Sequence, residues 1–341
     1  MGRSHYILKL LVVLAAIGTA GHWLNATEPV SLESVAKRAS LTDADLARMR
    51  QGQVVYRNAS GTRPNQLFVS AFFLQKHPLA DFEAQIRAGR IVNTAQSALA
   101  ATAVESALSN TTIADILNRT LTDDEAQRYQ NAAPGLSLNL STDELSLFQS
   151  VKSGDTPLKE TIAPILSGIL EKRYNDYLTG GCKAIAPYAR SSGSSSPGKE
   201  IVTGAGFVPT LFPDMAGFKD IVSNFPGGQP PGAEEFFQFI CQRIESRPDY
   251  ILGHFSFYKP DTASFIAISR QFYVSHSYNC LIIVVGAVET PDGLFVFYYN
   301  STFTDLVTGF IGGVKKSVGQ SQMKGDIVKQ LDDFRASFDS K

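Results

Sequence analysis

Residues 250–299 read YILGHFSFYKPDTASFIAISRQFYVSHSYNCLIIVVGAVETPDGLFVFYY, and this stretch decides the fold. It holds four runs rich in β-branched and aromatic side chains, at 250–258, 264–274, 280–289 and 294–299. That is the composition of pleated, buried strands. Turn chemistry separates them. Lys259-Pro260-Asp261-Thr262 puts proline at the favoured second position, and Thr290-Pro291-Asp292-Gly293 reads as a type I turn. Strands joined this tightly pair antiparallel, so the stretch predicts a four-strand meander.

Downstream of Asn300 the apolar period changes from two to 3.6. Ser301 or Thr302 is placed to cap a helix bearing Phe303, Leu306, Val307, Phe310, Ile311 and Val314 on one face. Met323, Ile327, Leu331, Phe334 and Phe338 continue the stripe to the end. Gly309, Gly312 and Gly313 interrupt its first part, each at about 1 kcal/mol relative to alanine, which calls for a kink or a close backbone approach.

Upstream, Thr42 with Asp45, and Leu41 with Leu46, form the cap and staple of a helix that ends at Gly52. Residues 53–58 and 66–73 read as strands and 79–87 as a helix. Residues 93–243 read as a large helical insert. It contains an Ala-rich segment at 95–108, a polar helix at 123–131 with an acidic first turn, and a helix start at Ser141-Thr142-Asp143-Glu144. A long helix at 158–178, kinked or begun at Pro164, and a short one at 233–243 complete it. The stretches 190–199 (RSSGSSSPGK) and 225–232 (FPGGQPPG) are surface loops. The sum is a single α+β domain over 27–341, an antiparallel meander packed on a long C-terminal helix.

The first residues carry an export signal. Arg3, His5 and Lys9 form a basic start, 10–20 (LLVVLAAIGTA) is apolar, and small residues cluster at 18–21 and again at Leu24-Asn25-Ala26. This is the anatomy of a signal peptide over 1–26. The apolar run is well short of the ~20 residues that span a bilayer, so a cleaved, exported product is expected in a periplasm or outside the cell, with retention as an anchor the alternative. Net charge is −1 and no dense Lys/Arg patch stands out, which disfavours nucleic acid. Three cysteines cannot all pair. Cys280 opens an apolar run and reads as a buried hydrophobe, leaving Cys182 with Cys241 as the pair to expect. No Cys/His metal spacing and no cofactor motif occurs, so neither a metal nor a cofactor is predicted.

GxSxG, HExxH, P-loop and GxGxxG motifs are absent. Strand parity puts Tyr250, His254, Ser256 and Tyr258 on one face, and Arg270 and His276 on a face with Phe272 and Val274. His254, Arg270 and His276 are therefore the candidates for acid–base work, His276 foremost, with Tyr273 able to join only across a bulge. Asp305 is a candidate partner for Arg270, against a simple role with Asn300 at the start of the C-terminal helix. Phe297, Tyr299, Phe310 and Val314 are the candidate lining of a cavity between the C-terminal sheet and helix.

Two resemblances accompany these residues. The element order resembles the helix-grip layout of START-like lipid-binding domains, which implies an apolar or amphipathic ligand such as a lipid held under the C-terminal helix. The run Ser269-Arg270-Gln271-Phe272-Tyr273-Val274-Ser275-His276, then Tyr298-Tyr299-Asn300 and Asp305, resembles a family of uncharacterised exported bacterial proteins. That family implies an envelope location and no chemistry. The leading expectation is a binding protein. The alternatives are an envelope interaction or structural protein without a small-molecule site, and a hydrolase using His276.

Overall fold

The computed structural model describes residues 30–58, 63–88, 98–104, 110–151, 156–206, 221–244, 246–309 and 312–338. The expected signal peptide and Phe310 lie outside the described residues. The strands in chain order are β1 (Val55–Asn58), β2 (Gln66–Gln75), β3 (Ala98–Val104), β4 (Tyr188–Ala189), β5 (Ser194–Ser195), β6 (Glu234–Ile244), β7 (Arg247–Tyr258), β8 (Ser264–Val274), β9 (Cys280–Thr290) and β10 (Gly293–Phe303). Eight of them form one antiparallel sheet in the order β1-β2-β10-β9-β8-β7-β6-β3, and β4 pairs with β5 apart from it. The helices are α1 (Leu32–Arg38), α2 (Asp43–Arg50), α3 (Leu79–Arg87), α4 (Asn110–Thr120), α5 (Asp123–Gln130), α6 (Thr142–Gln149), α7 (Leu158–Gly180), α8 (Pro197–Ala205) and α9 (Gly312–Ala336).

The fold is α+β, with the meander and the long C-terminal helix in place. The meander has five strands, β6 to β10. Residues 233–243, expected as a helix, form β6 because their apolar positions alternate: Phe237, Phe239 and Cys241 join one core, while Phe236 stacks on Phe255 of the other. Within the Ala-rich 95–108 segment, β3 pairs with β6 from Ala98 to Val104, so tertiary pairing overrides alanine's helix propensity. The helix expected from residue 301 starts later. Thr302 and Phe303 still pair with Leu67 and Gln66 on one side and with Leu281 and Cys280 on the other, and α9 begins at Gly312.

The sheet is buried on both faces. On one, Phe72, Tyr250, Leu252, Ile268, Val284, Phe295, Phe297 and Tyr299 pack with α1, α2 and α4 to α8. On the other, Phe73, Phe257, Phe265, Val285, Val296 and Tyr298 pack with Phe82 of α3 and with Ile327, Leu331 and Phe334 of α9. Thr42 and Asp45 cap α2 reciprocally, as do Ser141 and Glu144 at α6. No described helix is long and apolar enough to cross a membrane.

Leu331 is fully buried between α9 and the sheet, whereas Val318, two to four turns earlier on the same helix, is 59% exposed. Leu331→Ala is expected to cost about 2–5 kcal/mol and Val318→Ala no more than about 0.5 kcal/mol, as read from urea unfolding midpoints.

Candidate functional site

The structure brings together two of the four acid–base candidates and separates the others. His254 of β7 and Arg270 of β8 are opposite one another in register, with Nε2 and Nη2 3.3 Å apart, both fully buried under the helical layer. The Tyr177 hydroxyl lies 2.9 Å from His254 Nδ1, and Glu235 Oε1 lies 3.3 Å from Nε2. With Nδ1 accepting from Tyr177, Nε2 carries the hydrogen and donates to Glu235, so the approach of Arg270 to Nε2 is a contact and not a hydrogen bond. Burial first, and the charge of Arg270 second, hold His254 well below its ordinary value, so it is neutral. Arg270 donates to the Ile221 carbonyl at 3.0 Å and to Ser256 Oγ, with Glu235 4.0 Å away as its charge partner. The rings of Phe225, Phe237 and Phe272 enclose the cluster. A buried cation so enclosed locks β7, β8 and the 221–225 segment together and offers no open face for a substrate.

A β-bulge interrupts the pairing of β7 and β8: Leu252 faces Tyr273 but the next residue, Gly253, faces Gln271. Phe272 is the extra residue, so both Phe272 and Tyr273 pack into the helical side, and Val274 turns to the opposite side. Tyr273 does reach the helical face, but its ring lies under Arg173, at 4.6 Å, rather than at His254.

His276 lies beyond the end of β8 and packs on the start of β7. Its Nε2 lies 3.1 Å from the Pro248 carbonyl, and Ser277 Oγ lies 2.7 Å from Nδ1. Asp249 is 3.9 Å from that same Nδ1. A nucleophile–histidine–acid relay needs its two partners on opposite ring nitrogens, and here both crowd one. Asp249 and His254 are five residues apart along β7, roughly 17 Å at ~3.4 Å per residue. The hydrolase constellation of His276 with His254 and Arg270 is therefore not assembled.

The expected lining of a cavity under the C-terminal helix is divided by the pleat. Phe297 and Tyr299 point into the helical side, α9 lies on the other, and Val314 is 68% exposed. Asp305 pairs with Arg190, at 2.8 Å, and not with Arg270. Arg190 also donates to Gly135, Asn139 and Asn279, so this network ties β4 to the loops around it. Asn300 Nδ2 donates to the Tyr298 hydroxyl at 3.2 Å within β10 and caps no helix. Cys182, Cys241 and Cys280 are all free and buried, so the expected Cys182–Cys241 bond is not formed. Cys182 donates instead to the Val222 carbonyl, and Cys241 pairs along β6 with Tyr250.

One open site is a place that the sequence reading passed over. A cleft of about 510 Å³ lies between the turn after α7, the start of α8 and the 223–224 segment. Two glycines allow these three segments to cross so closely. A Cβ on Gly181, whose φ is +57°, would meet the Phe225 carbonyl at 1.9 Å, and one on Gly198 would meet the Cys182 carbonyl at 1.8 Å. Arg63, Lys183 and Lys199 line the cleft, and among the described residues no Asp or Glu does and none of the three cations forms an ion pair. Ser196 leaves the start of α8 without a side-chain cap, and since Pro197 has no N–H the uncapped donors there are those of Gly198 and Lys199. Ser223 Oγ is buried at the wall without a partner. Ile185 and Val202 supply an apolar side. Behind the floor, burial raises the Cys182 thiol above its ordinary value, and the charge of Arg270 offsets part of that rise. The signal in the sequence was Ser196-Pro197-Gly198-Lys199, where a serine-rich loop runs into a helix with proline in its first turn.

A second cavity, of about 500 Å³, lies between α6 and α7. Both of its cations are taken by acids, Arg173 by Glu144 and Lys172 by Asp176, each at 2.6 Å. Among the described residues no group of three His, Cys, Asp or Glu is placed to hold a metal ion.

The Asp249–His276 pair has a pH signature. Burial raises Asp249 from 3.8 to about 7, and burial, then Arg247, lowers His276 from 6.5 to about 4. Between those limits the folded pair carries one proton on Asp249 and an unfolded chain carries one on the histidine, so the pair adds almost no pH slope. Removing one partner exposes the other. In Asp249→Asn the unfolded chain binds the extra proton, so stability rises with pH through about 4–6.5. In His276→Gln the folded state keeps a proton that the unfolded chain loses, so stability falls from about pH 4 to 7. Urea midpoints measured across this range are expected to give slopes of opposite sign in the two variants.

Compared with protein-family models, curated proteins and solved structures, the chain matches none.

Proposed function

We propose that the protein binds a small phosphate-bearing amphiphile in the cleft formed by Lys183, Lys199 and Arg63. The observation that carries this reading is the set of three cations that converge on one cavity with, among the described residues, no ion pair and no acid in its wall. Unpaired like charges repel, and an anion between them removes that repulsion and gains charge-assisted hydrogen bonds. The uncapped N–H groups of Gly198 and Lys199 at the start of α8 add donors at the same wall, suited to an anion with several oxygens. Ile185 and Val202 leave one side for a short apolar group. The volume lies within the ~300–1,000 Å³ usual for small-molecule sites. The basic start, short apolar run and small residues of 1–26 support a setting outside the cytoplasm.

Isothermal titration with inorganic phosphate and with butyl phosphate tests this. Saturable binding is expected for both, tighter for butyl phosphate. Lys183→Ala with Lys199→Ala is expected to weaken it at least about tenfold. Lys329→Ala, which removes an exposed cation already paired with Asp333, is expected to change nothing. Absence of saturation, or equal affinity in the double variant, would overturn the proposal.

A further inference from the structure

The start of the C-terminal helix presents a surface of a different kind from the rest of α9. Its later turns are closed into the core by Ile327, Leu331 and Phe334. Its first turns expose Val314 at 68% and Val318 at 59%, the two most exposed large apolar side chains among the described residues. They are four residues apart and so share one face of the helix. Along the chain here the charge has one sign, and the nearby Asp305 is already paired with Arg190. From Leu306 to Gly325 the sequence contains Lys315, Lys316 and Lys324 and no Asp or Glu, and acids return only at Asp326. Lys316 Nζ donates to the Arg63 carbonyl at 2.9 Å, so this end of the helix adjoins the cleft whose wall holds Arg63, Lys183 and Lys199.

We infer that this face docks on an anionic lipid surface, with Val314 and Val318 entering the headgroup layer and the lysines meeting lipid phosphates. Apolar side chains flanked by cations without acids are the pattern of a segment lying in a membrane interface. A soluble protein partner would require no such uniform sign. The docking does not depend on what the cleft binds, although it would place a headgroup phosphate beside the cleft, and that last step rests on the phosphate reading.

Vesicle sedimentation tests it, using phosphatidylglycerol mixed with phosphatidylcholine against phosphatidylcholine alone. Binding is expected only to the anionic vesicles and is expected to fall at least fivefold when salt rises from 50 to 500 mM, since screening shortens the reach of surface charge to about 3–5 Å at high salt. Val314→Asp with Val318→Asp, and separately Lys315→Glu, are expected to reduce it at least fivefold. All three positions are exposed, so thermal melts should be unchanged and phosphate titration of the cleft should be retained in these variants. Equal binding to neutral vesicles, no binding to either, or full binding by the valine variant would overturn the inference. Loss of phosphate affinity with vesicle binding intact would instead count against the cleft reading alone.

Discussion

Side-chain parity in a sheet buried on both faces is the constraint on which the rest of the molecule depends. In β7 to β10 nearly every residue is buried, so alternate positions serve two separate cores. A shift of one residue would exchange them. The bulge at Phe272 is the one described place in β8 where the alternation breaks, and it puts two adjacent aromatics into the helical side. Tyr177 stacks on Phe272 at 3.9 Å, and Arg173 lies over Tyr273. The bulge thus seats α7 on the sheet. The turn after α7, which forms one wall of the cleft, is positioned by that seating.

The charges divide along the same lines. Where a cation is buried, the fold supplies its partners: Arg270 has Glu235, Ser256 and a carbonyl, and Arg173 has Glu144 and two aromatic faces. Leaving either uncompensated would cost several kcal/mol. At the cleft, Arg63, Lys183 and Lys199 converge with no acid among the described lining residues. The molecule meets the electrostatic demand of its buried cations internally and leaves that of its convergent surface cations open, which is the condition a bound anion satisfies.

The strands at 264–274 and 280–289 and the helix at 79–87 were legible because period, length and turn chemistry agreed there. Residues 233–243 were not: Glu234-Glu235-Phe236-Phe237 fits either period, and the pairing with β7 decides it. Parity named His254 and Arg270 among the candidates, but the β7–β8 register is what sets them opposite one another. The site was harder to read, because His276 is conspicuous in sequence yet serves a turn. The cleft residues lie far apart in the chain, at 63, 183, 199 and 223. Their convergence depends on two glycine-permitted crossings, at Gly181 and Gly198, that no local pattern announces. Phe297 and Tyr299 were read as the lining of a cavity under the C-terminal helix, whereas they pack into the core on the other face, which only the topology of both layers decides.

The most direct test is a backbone-amide NMR titration of the protein with inorganic phosphate. The account predicts that the largest shifts cluster at 183–185, 198–203 and 223–224, with those around His254, Arg270 and His276 nearly unmoved. Largest shifts at 275–279, or at the contact of α9 with the sheet, would contradict it.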